Sequence, residues 1–203
     1  PTDGDDVLYG TPSGNTLEAG AGNDHVLGLA GDDTLRGGDG NDLVHGGVGD
    51  DVLEGNAGDD VIHGGWGADQ LIGGIGNDRL HGEWGGDTYW YQRGHGEVVI
   101  DDDHFAINGG DEKDGSASES GYRNTVIDDD APNILSFGSD IDPQNLRYSE
   151  QNGDLVIEFA DQPGDRVILR GFELNRATQT RSVDVIRFAD GTEVVAELIE
   201  IRG

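Results

Sequence analysis

The 203-residue chain has neither cysteine nor methionine, so disulfides are excluded, although this does not fix a compartment. Basic residues are scarce, 12 Lys and Arg against 42 Asp and Glu, for a formal net charge of −30. That balance argues against a nucleic-acid or anionic-membrane partner, since both are held by a basic face. No apolar run approaches the roughly 18 residues of a membrane span. Aromatics make up only 6%, and so large a charge with so few of them ordinarily means disorder. The 36 glycines lack the strict triplet that collagen needs. Neither G-x-S-x-G nor H-E-x-x-H occurs, so catalysis is expected outside this segment. Pro1 opens a repeat rather than a leader, and the chain is expected to be part of a longer protein.

What is present is a beat. Residues 46–72 read GGVGDDVLEGNAGDDVIHGGWGADQLI, and the same nine-residue phrase runs in unbroken register from Pro1 to Trp90. Counting slots from Pro1, slot six holds Asp6, Asn15, Asp24, Asp33, Asp42, Asp51, Asp60, Asp69, Asp78 and Asp87. Slot eight holds Leu8, Leu17, Val26, Leu35, Val44, Leu53, Ile62, Leu71, Leu80 and Tyr89. Slots one, two and four are mostly glycine, giving G-G-x-G-x-D-x-U-x with U large and apolar.

Glycine lets the backbone pass through positive φ and draws carbonyl oxygens into tight loops. Slots seven to nine then read as a short strand with slot eight facing one way and its neighbours the other. Two repeats make one coil, and coils stack at about 4.8 Å, the ordinary strand spacing. Asp24, Asp42, Asp60 and Asp78 therefore form one column, and Asp33, Asp51, Asp69 and Asp87 a second. Carboxylates so close repel unless a cation lies between them. A hard ion with six to eight oxygen ligands fits, which favours calcium over magnesium or zinc. Five loops per column leave four gaps, so up to about eight ions are expected. Eight would bring the formal charge to about −14. One apolar side chain per nine residues is too thin a core to offset the ordering entropy of the backbone. The repeats are therefore expected to be disordered without calcium and rigid with it.

The pattern resembles the calcium-binding nonapeptide repeat of RTX (repeats-in-toxin) proteins over residues 1–90. The resemblance implies an all-β fold: a right-handed parallel β-roll closed by a C-terminal, antiparallel, sandwich-like β region. It also implies a ligand set. Each ion takes carboxylate oxygens from two stacked slot-six residues, Asp6 and the eight aspartates above, with Asn15 a weak member. Carbonyls from slots one and three of one loop and two and four of the next complete the shell. They are those of Gly20, Gly22, Gly28, Ala30, Gly31, Gly37, Gly38, Asp39, Gly40, Gly46, Gly47, Val48, Gly49, Gly55, Asn56, Ala57, Gly58, Gly64, Gly65, Trp66, Gly67, Gly73, Gly74, Ile75 and Gly76. Thr2, Thr11 and Ser13 replace loop glycines and weaken the first layer. The implied setting is a secreted, extracellular bacterial protein exported C-terminus first by a type I secretion apparatus, with the repeats as a non-catalytic folding module.

Beyond Trp90, DTYWYQRGHGEVVIDDD (87–103) resembles the segment that follows such repeats, with Val98 where an Asp is usual, so metal binding is not extended to it. Residues 104–124 are polar and read as an exposed loop. From Asn133 the segments NILSF, LRYSEQ, DLVIEFA, DRVILRGF and VDVIRFA read as short strands. Asn152-Gly153, Pro163-Gly164 and Asp190-Gly191 read as turns. Residues 91–203 resemble a haemolysin-type calcium-binding related domain, whose expected role is to cap the roll and template its folding.

Other candidates carry plainer readings. His45, His63 and His81 share slot nine and should form a ladder; they could bind a transition metal or sense acid, but read first as exposed polar residues. Trp66 and Trp84 share slot three and suit a sugar ring, as in an adhesin or polysaccharide-binding module, or packing against the cap. Asp142-Pro143 resembles a self-processing bond and also an ordinary turn. The acid runs Asp101–Asp103 and Asp128–Asp130 read as solvated loop edges.

Overall fold

A computed structural model describes residues 2–101, 131–171 and 183–195. The expected loop at 104–124 and most of both acid runs lie outside these residues. The repeats give β1 (Val7–Tyr9), β2 (Thr16–Ala21), β3 (His25–Ala30), β4 (Thr34–Asp39), β5 (Leu43–Val48), β6 (Val52–Ala57), β7 (Val61–Trp66), β8 (Gln70–Trp84) and β9 (Thr88–Tyr91). The C-terminal part adds β10 (Gly96–Ile100), β11 (Ile134–Phe137), β12 (Leu146–Gln151), β13 (Asp154–Phe159), β14 (Arg166–Leu169), β15 (Val185–Arg187) and β16 (Glu193–Val195).

The chain winds as a parallel β-solenoid of about five turns. Odd strands stack on one face, with Val26 beside Val44 and Val44 beside Ile62. Even strands stack on the other, with Leu17 beside Leu35 and Leu35 beside Leu53. The long β8 passes from one face to the other, pairing first with β6 and then with β7. Each partner is 18 residues away, so two repeats make one turn. Slot eight builds the core: Val26, Leu35, Val44, Leu53, Ile62, Leu71, Leu80 and Tyr89 have no exposed surface.

The strands are longer than slots seven to nine. Most hold six residues, running on through slot three of the next repeat. They extend because the glycine corner is itself laddered: the N–H of Gly40, Gly49 and Gly58 donates to the carbonyl of Ala57, Trp66 and Ile75 one layer on. From Gly20 to Glu83 slot two takes positive φ, as at Gly47 (φ 115), and Leu29, Asn56 and Glu83 adopt it despite their side chains (φ 81, 81 and 71).

Parallel stacking also runs past residue 90. β10 adds to β8 and β14 adds to β10 on one face, while β11 adds to β9 and β15 to β11 on the other. Among the described strands, antiparallel pairing is confined to β12–β13–β14 and β15–β16. The cause is legible in the residues: NILSF and DVIRF present the same alternation as DTYWY, so Leu135 and Ile186 continue the column that Tyr89 ends. Asn152 (φ 56) and Gly153 (φ 90) form the two-residue turn between β12 and β13. Tyr91, Phe137, Phe159 and Phe188 close this end, with Tyr91 stacked on Phe159 at 5.1 Å.

Candidate metal centre

Every slot-six aspartate from Asp24 to Asp87 is buried, the most exposed at 3%. Burying unpaired carboxylates is costly, so each oxygen must be accounted for. Oδ1 has a partner within the roll. The N–H of Asp24 donates to Asp42 Oδ1 at 2.8 Å, Asp42 to Asp60 at 2.8 Å, and Asp60 to Asp78 at 3.0 Å. The second column repeats this from Asn15 through Asp33, Asp51 and Asp69 to Asp87. Oδ2 is different: in Asp24, Asp33, Asp42, Asp51, Asp60, Asp69 and Asp78 it is buried without a hydrogen-bond partner.

From Asp33 to Asp78 those oxygens face a cradle that only glycine leaves open. A Cβ on Gly46 would lie 2.3 Å from Asp51 Oδ2 and 2.6 Å from the Gly64 carbonyl oxygen. Gly28, Gly55 and Gly64 repeat this, each set between a carboxylate oxygen and the carbonyl of the next layer. The donors are all hard oxygens, one or two of them anionic, which is the chemistry calcium takes. Among the described residues no three His, Asp or Glu side chains converge as a metal group, so backbone carbonyls must supply the rest of a shell. Slot-three carbonyls such as those of Val48 and Trp66 already accept one N–H each, leaving one lone pair to offer.

Without a cation Asp42, Asp51, Asp60, Asp69 and Asp78 resist ionisation. Burial, reinforced by neighbouring carboxylates and opposed by the Oδ1 hydrogen bond, raises Asp51 to about 6, Asp60 to about 7 and Asp69 to about 8. Burial likewise raises Asp78 to about 6. Asp6 behaves oppositely, held down by the Thr2 backbone N–H.

Three features escape a reading of slot six alone. Asp87 N–H donates to Asn133 Oδ1 at 2.8 Å, and Asn133 N–H to Asp184 Oδ2 at 3.0 Å, so the second column continues into the cap. The signal was present, since Asn133 and Asp184 open the two phrases that copy DTYWY. The first column stops differently, with buried Val98 opposite Asp78. Slot five forms a separate exposed ladder, Asn23 N–H to Asp5, Asn41 to Asn23, Asp59 to Asn41 and Asn77 to Asp59. Its mark in the sequence is the frequency of Asn and Asp in that slot.

The remaining candidates fall outside the columns. His45, His63 and His81 stack face to face at 4.4 and 4.7 Å, with His63 Nδ1 2.8 Å from Glu83 Oε1. Trp66 and Trp84 lie side by side in adjacent layers, tilted by 37° with centroids 6.0 Å apart. Asp142 Oδ1 accepts the Gln144 N–H at 2.9 Å and caps a short 3-10 turn, Pro143–Asn145. No described helix is long and apolar enough to cross a membrane.

The model of the RTX calcium-binding nonapeptide repeat matches in four copies, at residues 2–35, 36–71, 45–80 and 63–98. The chain carries RTX repeats. The match supports calcium binding by these repeats. No curated protein matches the chain. Among solved structures, this chain is similar to the extracellular lipase LipA from Serratia marcescens, at 17% identity over 86% of this chain, with a TM-score of 0.29. It spans 37% of the lipase's length, and a score of that size carries no argument about shape or activity.

Proposed function

We propose that this RTX segment is a non-catalytic, calcium-driven folding module of a bacterial protein exported by type I secretion. The observation that carries the reading is the row of buried Oδ2 atoms without partners, those from Asp33 to Asp78 each beside a glycine-lined cradle. Such a row is untenable as bare charge, so ion binding becomes folding free energy. Low calcium inside the cell keeps the repeats unfolded and exportable. Millimolar calcium outside, within the affinity range of extracellular modules, folds them.

The C-terminal strands give the folding a direction. They emerge first, and Asn133 offers Asp87 the acceptor that another slot-six residue would offer. Titrating the chain with calcium and following far-ultraviolet circular dichroism tests this. A cooperative rise in β signal with calcium, absent with magnesium, is expected. A β signal already complete in chelator would refute the reading. Removing residues 91–203 is expected to weaken or abolish the transition.

A further inference from the structure

The two columns are regular in sequence but not in surroundings. In their middle stretch the cradle beside Oδ2 is bounded by a slot-one glycine: Gly37 and Gly55 on one side, Gly28, Gly46 and Gly64 on the other. At Asp24 slot one is Ala19, fully buried, in a strand whose register sets it level with Gly37. A Cβ on Gly37 would come within 2.2 Å of Asp42 Oδ2, so a methyl at the equivalent place occupies the volume that glycine leaves for an ion.

The ends of the columns are closed by protein groups as well. Thr2 holds Asp6 Oδ2 through its N–H at 2.5 Å and its hydroxyl at 3.1 Å. Thr11 holds Asn15 Oδ1 in the same way, at 2.6 Å and 3.3 Å. Both threonines stand in slot two, so the first loop on each side ties off its own slot-six oxygen. At the other end, the Gly82 N–H donates to Tyr89 Oη at 3.0 Å. That hydroxyl stands in the last cradle beside Asp87 Oδ2, where the Gly64 cradle has the Gly82 carbonyl.

We propose that calcium occupies only the five gaps that combine two stacked aspartates with an open glycine cradle: Asp42–Asp60, Asp60–Asp78, Asp33–Asp51, Asp51–Asp69 and Asp69–Asp87. Ala19, Thr2 and Thr11 close the layers nearer the N-terminus. The ions then cluster toward the cap, and the N-terminal layers are held by hydroxyl and methyl groups instead. This rests on the calcium-driven reading above and refines where the ions lie.

The test counts and places ions in the whole 203-residue chain. Crystals grown with calcium, with ions located by anomalous difference density, should show the five gaps filled and none between Asp24 and Asp42. Equilibrium dialysis should find one more ion bound by Ala19→Gly and one fewer by Gly46→Ala than by the parent chain. Should Gly46→Ala fail to fold, Ala19→Gly carries the comparison alone. An ion beside Ala19, or an unchanged count in Ala19→Gly, overturns the assignment while calcium-driven folding stands. A chain that binds no calcium at all removes both.

Discussion

The roll and its cap bury different things. In the roll, each layer sets one aliphatic side chain per repeat beside a buried carboxylate, so the interior is partly charged. In the cap, Tyr91, Phe137, Phe159 and Phe188 pack ring against ring over Leu155, Ile157, Val167 and Leu169. Parallel ladders run through both, joined in the cap by the antiparallel pairs β12–β13, β13–β14 and β15–β16. What differs is the source of cohesion: an apolar core is present at all times, whereas an ionic one exists only where the counter-ion does. On the folding reading proposed above, the same solenoid path is permanent at one end and conditional at the other.

Breaking the permanent end should have the largest effect. Phe137→Ala removes a buried ring contacting three others and is expected to cost about 3–5 kcal/mol. Calorimetry in chelator would register it, and the calcium midpoint of the roll should rise with it. Cutting the link between the two regions comes next. Asn133→Ala takes from Asp87 N–H its Oδ1 acceptor, at a cost of roughly 1–3 kcal/mol, visible as a shifted calcium midpoint with the cap intact.

Acid should separate the regions by sign. In chelator, Asp51, Asp60, Asp69 and Asp78 hold protons more tightly in the folded roll than in an unfolded chain at 3.8. Their contribution is fully present below about 3.8 and lost as pH rises through about 6 to 8, so acid favours the ion-free roll. With calcium bound, protons compete for the same oxygens, and acid weakens the roll over that window. The β signal of the roll followed by circular dichroism from about pH 5 to 8, in chelator and at a calcium concentration near the midpoint, should change with pH in opposite directions. The smallest effect belongs to Leu29→Gly. Relieving φ 81 in a branched residue should stabilise the loaded roll by about 1 kcal/mol, read from its melting temperature.

These contrasts also explain what could be read from the residues in advance. The columns, the slot-eight core and the positive-φ corners follow from a strict nine-residue period, because each layer repeats the geometry of the last. The length of the strands did not follow, since glycine reads as a loop former even where its N–H is laddered. The parallel path of the cap was hidden because its phrases are separated by insertions: Asn133 succeeds Asp87 after 46 residues rather than 18. Tyr89 shows a further limit. Its slot assigns the ring to the core, and nothing in that assignment reveals that its hydroxyl reaches the Gly82 corner.

Hydrogen exchange resolved along the chain, in calcium and in chelator, tests the division most directly. The account predicts that chelation abolishes protection in β3 to β7 while β11, β13 and β14 stay protected. Equal protection of the roll in both conditions would contradict it.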